Sequence, residues 1–512
     1  MNLEELLTEI PVEKFSLLSR EDLETFAKLE QKMRIQFQKE NDRLRAINDE
    51  LKQDSFYIEE QFINIRNKFF GKSSEKKPRT DGEKSHFSGK KAKKKKIQLP
   101  SLRYPNAPLI EREVELAVLL QCSCCGAEMK DTGMTEDSEF LTVVPAEFMV
   151  VRQRRHKYGC GKCYSSIITA PAPPTIKAGS SYSDAMKIDV ALSKYCDLIP
   201  VERYSSIAGR AGLMDLPPQS LIESTHHLAD FVSGAYDKSK SEAIKSKVLH
   251  ADETPHKMLE GTEIKNWYLW GFSTARVCFF EIHDTRSGDV PSELLINSKC
   301  EFLMSDVFSG YAKAVRQANE YRRRMEMPVI QNIYCNAHAR RKFKDANKFP
   351  EEAKYFIDQY EKIYRLEKIA QARPHDRILR VRRIMVPLFE AMKARAMANS
   401  KGYFSKSSIG KAMAYFLKNY DQLTLFLKNP DLPIDNNPQE RLMRNPVIGR
   451  KTWYGTHSER GAKTAAILFT LVESCKLVEV NPREYFKKLV QDLHHGKEAY
   501  TPWDFKQLSK NH

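Results

Sequence analysis

Val248-Leu-His-Ala-Asp252-Glu-Thr254 is the stretch on which the reading of this chain turns. Val248 to Asp252 reads as a short strand that closes on a carboxylate. A second apolar run closes the same way, in Phe302-Leu-Met-Ser-Asp306-Val-Phe-Ser-Gly-Tyr311. A third acid, Glu440 in Asp435-Asn-Asn-Pro-Gln-Glu440-Arg441, opens a helix crowded with arginines. Strand ends and helix starts deliver side chains to the edge of a sheet, and carboxylates are hard oxygen ligands suited to Mg²⁺. Asp252, Asp306 and Glu440 are therefore the candidate ligands of two Mg²⁺ or Mn²⁺ ions. Such ions, about 3.5–4 Å apart, can activate a water and stabilise the departing oxygen of a phosphodiester.

Outward from Asp252, Trp267 to Phe272 and Val277 to Ile282 read as two more strands, rich in β-branched and aromatic residues and joined by turn-like segments. A helix over Ser287 to Asn297, a strand over Phe302 to Asp306, a helix over Tyr311 to Tyr321 and a strand over Val329 to Cys335 follow, before a helix near His338. Three antiparallel strands and then βαβα is the order of a ribonuclease H-like fold, whose first and fourth strands carry metal-binding acids. Asp252 is preferred to Glu253 because neighbours on a strand face opposite ways. Glu440 is preferred to Asp435, which looks like part of a helix-initiating turn. The interval from Asp306 to Glu440 is too long for one crossover, and Phe349 to Lys428 look almost wholly helical. We expect residues 349–429 to be a helical insertion in a catalytic core made of 241–348 and 430–465. Arg377, Arg380, Arg382 and Arg383 there suit either a DNA channel or a solvated helix face.

The chain has 512 residues, more than one core usually organises, so the class expected is a multidomain α+β or α/β protein. From Leu23 to Ile65 a seven-residue ladder of Leu23, Glu30, Phe37, Leu44, Leu51, Ile58 and Ile65 predicts a zipper-like helical region within 1–70, able to pair with a second copy. A solitary helix packing on its own chain is the alternative, since Glu30 sits on the seam. Residues 71–100 hold Lys90, Lys91 and Lys93 to Lys96 and read as a basic disordered linker that adds sequence-independent phosphate affinity. Within 101–170, Cys122-Ser-Cys-Cys125 and Cys160-Gly-Lys-Cys163 form two Cys-x-x-Cys knuckles, the pattern of one structural Zn²⁺ held by Cys122, Cys125, Cys160 and Cys163. Cys124 is a spare that leaves the first knuckle's register open. Residues 171–240 read as helices broken near Pro200 and from Gly212 to Pro218, compatible with a helix-turn-helix or a plain helical spacer. Residues 466–512 form a carboxyl-terminal module.

Lys+Arg 83 against Asp+Glu 67 leave a formal charge of +16, which favours a polyanionic partner such as double-stranded DNA. No long apolar run and no leader pattern is present, so no membrane partner and a cytoplasmic, nucleoid-associated location are expected. Arg340, Arg341 and Lys342 are candidate phosphate contacts, as are Arg441, Arg444, Arg450 and Lys451, with Trp453 offering an aromatic surface. Cys335 and His338, three apart, suit either two ligands of a second metal or a buried structural role.

The motifs resemble those of the insertion-sequence sixty-six transposases, the DDE-type enzymes often labelled TnpC. The resemblance rests on His250-Ala-Asp-Glu-Thr254, Cys335-Asn-Ala-His-Ala-Arg-Arg-Lys-Phe343, Asp435-Asn-Asn-Pro-Gln-Glu-Arg441 with Arg444, and Ile448-Gly-Arg-Lys-Thr-Trp453. Val307-Phe308 departs from the more usual glycine and aromatic after the second acid. The resemblance implies binding of terminal inverted repeats, metal-dependent cleavage of DNA 3′ ends and strand transfer to a target. It also implies a homodimer or higher oligomer that pairs two ends, and companion proteins of the same element. A non-transposing nuclease or resolvase of the same fold, or a non-enzymatic DNA-binding regulator, are the competing readings.

Overall fold

The structure, a computed structural model, describes residues 167–259, 266–400, 402–403 and 405–508, with parts of 19–52 and 99–159. Residues 31–46 are helical, with Ile35, Phe37 and Leu44 exposed. The other ladder positions, Leu23, Glu30, Leu51, Ile58 and Ile65, lie outside the described residues, as do the lysine run and Cys122, Cys125, Cys160 and Cys163. In a second, separate unit the helical turn Pro100–Arg103 is tied by Ser101, whose backbone N–H and hydroxyl both donate to Glu139 at 2.7 Å.

Two short strands (Lys157–Gly159 and Ile167–Thr169) precede helices α1 (Asp184–Tyr195), α2 (Val201–Arg210), α3 (Pro218–Phe231) and α4 (Ser233–Ile244). Ser183 caps α1 by accepting from the Met186 N–H, and Pro200 and Pro217 stand just before the next two starts, where a missing N–H costs nothing. The mixed sheet follows: β1 (Val248–Lys257), β2 (Asn266–Ser273), β3 (Cys278–His283), α5 (Asp289–Ile296), β4 (Phe302–Ser305), α6 (Ser309–Arg324) and β5 (Gln331–Tyr334). Its spatial order is β3-β2-β1-β4-β5, antiparallel among β1 to β3 and parallel from β1 through β4 to β5. Strand β1 does not stop at Asp252, as expected, but pairs with β2 as far as Lys257. Its parallel partner β4 covers only Val248 to His250. Asp252 thus lies where the parallel half of the sheet ends, not where its strand ends.

Alternation along the strands sends side chains to two faces. Leu249, Ala251, Trp270, Phe272 and Leu303 pack with Val290, Leu294 and Leu295 of α5 and Tyr311, Ala314 and Val315 of α6. The opposite face is covered in two parts. Met304 and Ile333 lie under α7 (Asn336–Lys344) and under helices α8 (Pro350–Gln371, against which α9, His375–Arg382, packs), α10 (Val386–Asn399), α11 (Ser408–Lys418) and α12 (Tyr420–Thr424), whose shared core includes Phe343, Phe356, Tyr360, Phe389 and Phe416. Leu269, Cys278 and Phe280 lie under α13 (Asn437–Trp453) and α14 (Glu459–Leu477), with α15 (Pro482–His494) behind. Helix α14 also closes the sheet edge: Thr470 Oγ1 accepts from the Phe280 N–H and Ser474 Oγ from the Cys278 N–H, both at 2.9 Å. An edge strand so covered has no free ladder to offer another chain.

Candidate metal centre

Three segments converge at the end of the parallel half-sheet. Asp252 comes from β1, Asp306 directly follows β4, and Glu440 lies in the first turn of α13. Helix α13 can approach because Gly271, the register partner of Asp252 on β2, has no side chain. A Cβ there would stand 2.4 Å from Gln439 Nε2 and 2.6 Å from Met443 Sδ. A bare backbone on β2 therefore lets the helix carrying Glu440 lie directly over the strand beside Asp252.

The start of α13 is tied down by Asn436, which is buried. Its backbone N–H donates to Cys335 Sγ at 3.2 Å, its Nδ2 donates to the Ala251 carbonyl at 2.8 Å, and its Oδ1 pairs with His250 Nδ1 at 2.9 Å. One residue, through its backbone and its side chain, thus links the segments that bear Asp252, His338 and Glu440. Asp435 is spent on the turn itself, with Oδ1 accepting from the Asn437 N–H at 3.1 Å and Oδ2 from Asn437 Nδ2 at 2.6 Å. Burial holds Cys335 as a neutral thiol, its pKa pushed up to about 12.

Charge is unbalanced in this pocket. Burial first, and then the carboxylates of Glu253, Asp306 and Glu440, push Asp252 up to about 8. Among the described residues Asp306 accepts only the Phe308 N–H, at 3.0 Å, and neither it nor Asp252 has an ion-pair partner. Glu440 faces Arg341 at 3.5 Å and His338 Nδ1 at 3.6 Å. A set of carboxylates gathered around a buried Asp252, with little cationic relief, fits divalent cations with oxygen preference. Cys335, His338 and Glu440 also bring one ligand atom each within 4.8 Å of one another.

Glu253, the next residue along β1, is balanced instead. It points to the other face, where Arg286 Nη2 and the Tyr311 hydroxyl each donate to it at 2.6 Å. The Arg286 guanidinium lies 4.1 Å over the Phe308 ring, so the aromatic after Asp306 serves this neutral pair.

The expected DNA contacts divide by setting. Arg441, Arg444 and Lys451 are exposed along α13. Arg341 is exposed beside Glu440, Arg340 is half-buried, and Lys342 lies 4.6 Å over the Tyr415 ring. Arg450 is half-buried near His256, and burial lowers the pKa of both, His256 to about 4. Trp453 packs inward, edge-on to Tyr195 at 6.3 Å and under Lys194 at 5.3 Å. Beyond it, Gly455 at φ +138° lets the chain dock on β1, where Thr456 N–H donates to the Lys257 carbonyl at 3.0 Å. Sequence reasoning missed Asn436, Gly271 and Arg286. Asn436 stood in a quoted motif, but nothing local marks its partners on β1.

Among the described residues no helix is long and apolar enough to cross a membrane. Residues 179–464 match the family model described as "Transposase IS66 family", and residues 120–164 match that of the "zinc-finger binding domain of transposase IS66". The chain is 27% identical to the uncharacterized protein y4qI of Sinorhizobium fredii (strain NBRC 101917 / NGR234), over 92% of this chain and 87% of that protein. It is 23% identical to the uncharacterized protein y4hP of the same organism, over 80% of this chain and 78% of that protein.

Proposed function

Because the chain belongs to the IS66 transposase family, we propose that it binds the terminal inverted repeats of an insertion sequence, cleaves the DNA 3′ ends and transfers them to a target. The observation that carries this reading is the trio Asp252, Asp306 and Glu440, drawn from three segments and close enough that Asp306 and Glu440 add to burial and Glu253 in raising Asp252 to about 8. The sheet order β3-β2-β1-β4-β5, with one antiparallel and one parallel half, supports a ribonuclease H-like core. Two divalent cations, Mg²⁺ or Mn²⁺, held by these carboxylates would activate water and stabilise the departing oxygen. The chain's own residues do the positioning. Asn436 fixes the start of α13 against β1, so that Glu440 and Asp252 keep one geometry. Exposed Arg441, Arg444 and Lys451 on the same helix, with Arg341 beside it, present positive charge where a phosphate backbone would run.

The remaining parts fit the same task. A zinc module within 101–170 with Cys122, Cys125, Cys160 and Cys163 as ligands, a DNA-binding helical region over 171–240 and a pairing helix within 1–70 together suit an assembly that holds two element ends. Helices in 349–429 flank the metal centre as an insertion. The test is cleavage and joining of labelled element ends by the purified chain with Mg²⁺ or Mn²⁺. Activity lost in Asp306→Ala supports the reading. No activity in wild type, or the same activity in Asp306→Ala, overturns it.

A further inference from the structure

His338 and Glu440 face one another with unsatisfied atoms. Nδ1 of His338 and Oε1 of Glu440 are both buried, and neither has a hydrogen-bond partner among the described residues. They stand 3.6 Å apart, beyond a good hydrogen bond. Two ligand atoms about 2.0–2.2 Å from one ion stand roughly 3–3.6 Å apart, so the gap has the span of a shared cation. The third atom of this cluster is already used: Cys335 Sγ accepts the Asn436 N–H and is committed to the turn. His338 sits in the first turn of α7, whose start is pinned by Asn336 donating to the Ile434 and Leu423 carbonyls at 3.0 and 2.9 Å. Its ring is thus carried on a fixed element. An imidazole nitrogen is a common metal ligand, and here Nδ1 is the ring atom aimed at Glu440.

We infer that His338 is a metal ligand, sharing through Nδ1 the cation held by Glu440, so that the centre is a mixed nitrogen and oxygen site. This rests on the metal-dependent reading above and adds a residue and a metal preference to it. An imidazole in the set favours a transition-metal ion such as Mn²⁺ over Mg²⁺, which takes oxygen ligands almost exclusively.

The test uses the full chain with its zinc retained, loaded with Mn²⁺ and carrying ¹⁵N-histidine, and reads pulsed electron paramagnetic resonance. Expected is a directly coupled histidine nitrogen in wild type that is absent in His338→Gln, with Mn²⁺ affinity down about 10-fold or more and Mg²⁺ affinity changed less. His338→Asp, which restores an oxygen ligand, should recover Mn²⁺ affinity without the nitrogen coupling. No histidine coupling in wild type, or unchanged coupling in His338→Gln, overturns the inference. Cleavage of element ends is read in parallel. Cleavage without histidine coupling overturns the ligand assignment alone, and coupling without cleavage overturns the transposase reading alone.

Discussion

Glu367 and Asp252 are both acids set into the interior, and the protein treats them in opposite ways. In the helices over residues 350–424, Glu367 is met by two nitrogens of the fully buried Arg382, at 3.0 and 2.5 Å, and Arg382 also donates to the carbonyls of Phe426, Asn429 and Leu432. Glu352 is likewise matched by Arg395 at 2.8 and 2.9 Å. At the sheet, Asp252 has no such partner among the described residues and is crowded by further acids. Even Glu253, one residue away, is fully paired. Where a buried acid is structural its charge is cancelled inside the chain. Where it is left uncancelled, a cation from outside has a place to act.

The largest effect that could break this contrast is on stability. Glu367→Gln should leave Arg382 buried without its counter-charge and cost about 3–5 kcal/mol in chemical denaturation. Asp252→Asn, by contrast, should not lower stability at pH 7 in the absence of cations and should raise it, since Asn replaces a carboxyl that must take up a proton on folding. Equal losses in the two variants would erase the distinction. Next in size, Asp252→Asn should lower cleavage of labelled ends by at least about 100-fold, beyond what the loss of an outer-shell partner costs a metal site. Glu352→Gln, at a paired acid, should alter stability and not the metal dependence of cleavage. Third, Gly271→Ala should push α13 away from β2 at a cost of about 1–3 kcal/mol in thermal denaturation. It should weaken Mn²⁺ binding as well, because Glu440 rides on that helix. A normal Mn²⁺ affinity in that variant would show that the close crossing at Gly271 does not set the site.

Much of the sheet could be read from the chain because its signals are local. Period-two alternation marks Trp267 to Phe272 and Val277 to Ile282, and turn residues separate them. The extension of β1 past Asp252 was not legible, because Pro255 and the polar Thr254 and His256 carry no strand signal of their own. They are strand because β2 pairs with them. At the site, the acids were marked by their position after apolar runs or at a helix start. The cancellation of Glu253 by Arg286 and Tyr311, and the ties of Asn436 to Ala251 and His250, join residues far apart in the chain, and no local pattern encodes them. Trp453 shows the converse: beside basic residues it reads as a nucleic-acid contact, yet its ring packs on Tyr195.

The smallest effect is a pH dependence with a definite sign. The folded-state pKa of Asp252, about 8, lies above its ordinary 3.8, so its contribution to stability is full below the ordinary value and is lost as pH rises through about 8. Without cations, the melting temperature of wild type should therefore fall more between pH 5 and about 8 than that of Asp252→Asn. Parallel curves would mean that the pocket does not hold a proton on Asp252.

That proton gives the most direct test of whether the uncancelled acids are there for a cation. Titration calorimetry of Mn²⁺ into the full chain at pH 7, repeated in buffers of different ionisation enthalpy, counts protons released on binding. Saturable binding with release of up to about one proton per chain in wild type, and weakened binding without that release in Asp252→Asn, is the expected result. No binding in wild type, or the same affinity and proton release in Asp252→Asn, would contradict it.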